Sequence, residues 1–420
     1  MRTHLRAVLA LCALASHPAA AQTADDAMAA YRAKDYARFL TLEKHALARD
    51  PANARILYDV ARGEALQGHA AAAIRDLDIL LSRKLDLGAE TDSDFSGIHA
   101  TPEWAGYLTR LTALRTPLVH STVAFTLPDS TLIATGLAVD TKTGDTFIAS
   151  VRERKILRRT KDGVVSDFIH PAQDGFFAGA SLAIDATRRI LYATTAGVPF
   201  MLDYAKDDDG RSGIFAFDLR SGALVRKALL PTDGQKHFLN ALVIDQDGTV
   251  YISDSRVSGI YRLRPDATTL EPFAPGAAFQ STQGLAFSDD HRTLYVIDWT
   301  DGLWALDRAT NVRRKLDGPP GVWLGGLDGL SPVADGFIVV QIGVAPARVL
   351  RLHLDPARRR ITAVNVLEMS HPDYDGPIQG VVAGSAFLYV ANSQLDLGNV
   401  ETGAFAADRA RPTVVLRLPL

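Results

Sequence analysis

The chain has 420 residues, 47% of them hydrophobic, and a formal net charge of −3. That length can bury a sizeable core in two domains, and the charge offers no basic excess for nucleic acid. The single cysteine, Cys12, lies near the start, so the body of the chain has neither a thiol nucleophile nor a disulfide framework.

The first residues, "MRTHLRAVLALCALASHPAAAQTADD", carry two arginines, an apolar run from Ala7 to Ala15 and a small-residue end at Ala19-Ala20-Ala21. This pattern predicts a secretory leader over residues 1–21, cut before Gln22, and hence a periplasmic or secreted protein. The apolar run is too short to span a bilayer, and no later segment approaches the twenty or so apolar residues of a membrane helix. No membrane span is expected.

Residues 24–115 are alanine-rich and read as helical hairpins. Tyr31, Tyr36 and Phe39 recur at helical spacing, "ARDPANA" marks a stop with Pro51 opening the next helix, and Gly68 turns the chain into another. The run from Ala30 to Leu81 resembles tetratricopeptide-type repeats. Only about one and a half repeats fit, too few to stack alone, so this segment should pack on the rest of the chain. Tyr31, Tyr36 and Trp104 are either core residues, the better expectation for large aromatics, or the lining of a protein partner's groove.

Residues 121–420 change to short runs of Val, Ile, Leu, Phe and Tyr broken by Asp-Gly-type turns. Six copies of one pattern stand out, among them "LNALVIDQDGTVYISDS" at Asn240 and "TQGLAFSDDHRTLYVID" at Gln283. The others begin around Thr135, Ala180, Asp328 and Gln379, and the spacings are 45, 60, 43, 45 and 51 residues. Each copy supplies two strands, a third follows and a fourth is plausible, as in the blades of a propeller. The last copy lacks its fourth strand because the sequence ends at Leu420, and "STVAFTL" at 121–127 is the natural piece to fill that gap. The expected fold is mainly β: a six-bladed β-propeller with an N-terminal, tetratricopeptide-like α-helical segment.

The innermost strand of each blade lines the central channel, so Thr135, Ala180, Asn240, Gln283, Asp328 and Gln379 should meet at one height. Four of these six carry a carboxylate or amide oxygen. A ring of this kind either accepts a hard divalent cation such as calcium or simply hydrates the channel.

The repeats, especially "NALVIDQDGTVYISDS", "QGLAFSDDHRTLYVIDW" and "LDGL", resemble the senescence-marker-protein/gluconolactonase family of six-bladed propellers, related in pattern to NHL repeats, across residues 121–420. In that family a divalent metal is held by a glutamate of the first blade, asparagines of the third and fourth and an aspartate of the fifth. The resemblance therefore implies calcium or zinc on Asn240, Gln283 and Asp328. This sequence departs from the pattern with Thr135 in place of the glutamate, Gln283 in place of an asparagine, and Ala241 where an aspartate is usual. The implied reaction is lactone or ester hydrolysis, with Asp328 orienting or deprotonating a water. His237, a loop histidine just before Asn240, is a second candidate base. No "GxSxG" occurs, so a serine elbow has no support.

Connections between the second and third strands return to the channel mouth. Most are short, but two are long: Ala196 to Ser212 and Ser393 to Pro412. Long loops in a compact domain are usually functional or disordered. They either form a lid, with Phe200, Met201, Tyr204 and Phe405 against an apolar ligand and Arg152 and Arg154 facing an anionic group, or simply cover the ring. "DDDG" within the first lacks the alternating acids and closing glutamate of a calcium loop. Two non-hydrolytic functions compete: a ligand-binding propeller, since "GIFAFDLRSGALVRKALLP" also resembles the secreted yellow/royal-jelly family, and a protein-docking scaffold.

Overall fold

The computed structural model describes residues 18–275 and 279–420, with side chains from residue 25 onward. Residues 1–17, and with them most of the expected leader including Cys12, lie outside the described residues.

Five helices open the described chain: α1 (Pro18–Arg32), α2 (Tyr36–Arg49), α3 (Ala54–Leu66), α4 (Ala70–Ser82) and α5 (Pro102–Leu114). Their starts follow local chemistry. The side chains of Asp35, Asn53 and Thr101 accept the first free backbone N–H groups of α2, α3 and α5, and Pro102 takes the first turn of α5. Pro51 does not open α3; it sits in the turn ahead of the Asn53 cap. Trp104 is buried beside Phe95 and Tyr107, which makes it core. Tyr31 is held by Asp94 at 2.7 Å.

The helical core continues into the propeller: Trp323 and Val344 belong to the same apolar cluster as Tyr58, Leu77 and Trp104. Polar contacts fix the junction. The Asp86 N–H donates to the Ala345 carbonyl at 2.5 Å, and the fully buried Glu368 accepts from the Ser121 N–H and hydroxyl. The buried Arg348 guanidinium donates to the carbonyls of Arg83 and Lys84 and to Gln341 Oε1, at 3.1, 3.0 and 2.7 Å. Burial pushes its pKa down to about 10. Arg348→Ala leaves those three acceptors without a donor, so it should cost roughly 2–4 kcal/mol and expose the 83–101 segment to limited proteolysis. Wild-type stability and protease resistance would show that Arg348 does not fasten the junction.

The remainder is a ring of six four-stranded antiparallel sheets. In five blades the strands run in chain order from the inside out. The sixth is completed by Thr122–Leu127, which pairs antiparallel with the last strand, Thr413–Pro419, as the sequence predicts. Inner strands of successive blades touch, and the sixth meets the first. Between each pair of neighbouring blades lies one apolar cluster, so the propeller's core is six wedges around an axis. Among the described residues no helix is long and apolar enough to cross a membrane.

Candidate functional site at the channel mouth

The inner strands of blades one to five each break register at the same place: at Ala134–Gly136, Gly179–Leu182, Leu239–Leu242, Thr282–Leu285 and Asp328–Ser331. Thr135, Ala180, Asn240, Gln283 and Asp328 sit within or at the edge of these irregularities. A bulge re-aims a side chain and frees it from the ladder. Hydroxyls tie adjacent blades at this level: Thr194 Oγ1 donates to the Asn240 carbonyl, Ser253 Oγ to that of Gln283 and Ser331 Oγ to that of Gly380, at 2.8, 2.7 and 3.0 Å.

All six ring residues line one cavity of about 80 Å³, room for a few waters or a small organic group. Among the described residues Asp328 is its only ionisable lining residue. Burial pushes the pKa of its carboxyl up to about 6, against the backbone N–H groups of Gln379 and Gly329, which it accepts and which favour the charged form. Gly329 is required here: its φ is +65°, and a Cβ would stand 2.4 Å from that of Gln379. Asn240 Nδ2 donates to Gln283 Oε1 at 2.5 Å, Gln283 Nε2 to Ser281 Oγ at 3.1 Å, and Thr135 Oγ1 to the Gly179 carbonyl at 2.8 Å.

The two long insertions meet over this cavity. Phe200 packs so closely on Gly398 that a Cβ there would stand 2.4 Å from the ring, and Val198, Phe200 and Leu395 form the cap. Met201, Tyr204 and Phe405 belong to the same apolar cluster but do not line the cavity, whereas Phe200 does.

The two arginines contact the insertions. Arg154 is buried and donates to the carbonyls of Phe176, Leu202 and Asp203 at 3.2–3.3 Å; its positive charge fastens the first insertion. Arg152 stacks over the Phe405 ring at 4.3 Å and steadies the second. His237 also lies off the cavity. Its Nδ1 contacts Asp254 Oδ2 at 2.6 Å and its Nε2 contacts Asp233 at 3.2 Å. Those carboxylates, Asp254 foremost, raise its pKa, so the ring is a bridge between loops and is not placed as a base.

Sequence reasoning missed a second ring. Val151, Ser255, Trp299 and Ile342 each directly follow the second strand of a blade, and all line the cavity. The signal was present: the same alignment that finds the first ring places "ASV", "SDS", "IDW" and "VQI" in register. The aspartates in this register are structural, as Asp254 and Asp298 accept backbone N–H groups of the turns that follow.

No protein-family model and no curated protein matches the chain. Among solved structures the chain is similar to a luciferin-regenerating enzyme at 12% identity, over 72% of this chain and 96% of that one, with a TM-score of 0.49. It is similar to a gluconolactonase from Xanthomonas campestris at 17% identity, over 73% and 92%, TM-score 0.46. It is also similar to regucalcin, a calcium-binding protein from Agrobacterium tumefaciens, at 16% identity, over 70% and 93%, TM-score 0.47. The chain is a six-bladed β-propeller preceded by helices, and these names describe its neighbours in fold.

Proposed function

We propose that the capped cavity is a small-molecule site at which a lactone or ester is hydrolysed, with Asp328 as the general base. The observation that carries this is the convergence of six residues, 244 positions apart at the extremes (135 to 379), on one covered cavity with a single ionisable group among the described residues. A covered, partly apolar cavity with a few polar groups is the usual form of a ligand site, and a carboxylate with a pKa near 6 is ionised at neutral pH yet basic enough to take a proton from water. In the proposed step that water attacks the carbonyl carbon while its proton passes to Asp328. Asn240, which gives one of its two amide protons to Gln283, supplies the other to the carbonyl oxygen. Collapse of the tetrahedral adduct returns the proton to the leaving alkoxide. The test is hydrolysis of a panel of simple lactones and aryl esters by the purified full chain, against Asp328→Asn.

The donor set fits a resident divalent ion poorly. Calcium takes six to eight oxygens, whereas the ring offers one carboxylate, and Gln283 Oε1 already accepts from Asn240. Among the described residues no three His, Cys, Asp or Glu side chains cluster. Millimolar calcium, zinc or manganese should leave the melting temperature where a chelator leaves it; an ion-specific rise that disappears in Asp328→Ala would restore a metal-dependent mechanism.

A non-catalytic binding propeller is the second reading, favoured by the ring's internal hydrogen bonds, which hold Thr135, Asn240 and Gln283 in place without a ligand. It predicts binding without turnover. The leader-like N-terminus supports export.

A further inference from the structure

The walls of the cavity differ by side. Blades three to five contribute Asn240, Ser255, Gln283 and Asp328, together with Phe238, Trp299 and Ile342. Blades six, one and two and the insertions contribute Val151, Ala180, Val198, Phe200, Ile378 and Leu395. Of the two polar residues on this second side, Thr135 gives its hydroxyl proton to the Gly179 carbonyl, and Gln379 borders Asp328, to which its backbone N–H donates. The cavity therefore has a polar pole at Asp328 and an apolar pole under the cap.

Resting on the hydrolytic reading, we infer that the substrate is a lactone or ester bearing an apolar substituent, and not a polyhydroxylated sugar lactone. The carbonyl faces Asp328 and the substituent lies under Phe200 and Leu395. A sugar lactone would place hydroxyls against the apolar wall, where each one without a partner weakens binding about tenfold or more. An alkyl group there leaves water, and each methylene tightens binding about fourfold. The bonds among Asn240, Gln283 and Ser281 reinforce this preference, because a polyol must break them to be satisfied.

Lactams, which resist hydrolysis, separate binding from turnover. With the full chain, calorimetry of δ-valerolactam and its methyl, ethyl and propyl derivatives should show affinity rising about fourfold per methylene until the cap is filled, with gluconolactam failing to compete. Leu395→Asn and Phe200→Ser should flatten that dependence, and Leu395→Met should keep it. Should either polar variant fail to fold, the wild-type series alone decides. Gluconolactam binding as tightly as the propyl lactam, or butylammonium outcompeting every lactam, overturns the inference. Turnover of gluconolactone without alkyl lactones sinks the inference and spares the hydrolytic reading; binding of alkyl lactams with no lactone turnover sinks the hydrolytic reading and leaves the apolar preference as that of a binding site alone.

Discussion

The substitution Asp328→Asn should lower hydrolysis by about a thousandfold, the scale of a lost general base, while making the protein more stable at pH 8. The second effect follows from the same burial that tunes the carboxyl. Its folded pKa, about 6, lies above the ordinary value of 3.8. Below about pH 4 the group is protonated whether the chain is folded or unfolded, and the fold bears no charge. As pH rises from about 4 through 6 the unfolded chain gives up this proton more readily, so stability falls, by roughly 3 kcal/mol for a shift of this size. Above about pH 6 the loss is complete and constant.

The Asp328→Asn side chain has nothing to ionise, and its oxygen still accepts a backbone N–H, so the variant should overtake wild type between about pH 4 and 6 and stay ahead. Glu43 and Asp59, pushed up to about 7 and about 6 by burial, titrate in a similar range, but they are common to both proteins and cancel in the difference. Urea unfolding of both at pH 4 and pH 8 checks this. Equal differences at the two pH values would mean that Asp328 is not buried as described.

The other large effect lies at the closure of the ring. Leu127, 1% exposed, is the last residue of the closing strand, pairs with Thr413 and packs in the wedge between blades six and one. Leu127→Ala removes most of an enclosed side chain and should cost about 3 kcal/mol. Leu127→Asp puts an unpaired charge in the same wedge and should prevent stable closure. A soluble, cooperatively folded Leu127→Asp protein with an unchanged urea midpoint would show that the ring does not depend on this strand.

The propeller was legible because its signal repeats: six copies of one two-strand pattern, with strand order dictated by short turns, leave few alternative topologies. The closing strand was legible because the last copy is one strand short. The ring of Thr135, Ala180, Asn240, Gln283, Asp328 and Gln379 followed from register alone, since equivalent positions of a radial repeat must face the same axis. What register could not supply was partnership. Arg152, Arg154 and His237 sit on the expected loops, yet a neighbouring ring, three carbonyls and two carboxylates respectively engage them. Such contacts join segments that no periodic pattern relates. The meeting of Phe200 with Gly398 is of the same kind: sequence showed two long insertions, and only their packing shows which side chain faces inward.

A crystal structure of the full chain with bound propyl-valerolactam tests the account most directly. The lactam carbonyl should lie within hydrogen-bond reach of the Asp328–Asn240 pole, with the propyl group against Phe200 and Leu395 beneath closed insertions. A lactam seated elsewhere, or Asp328 open to solvent with the insertions apart, would contradict it.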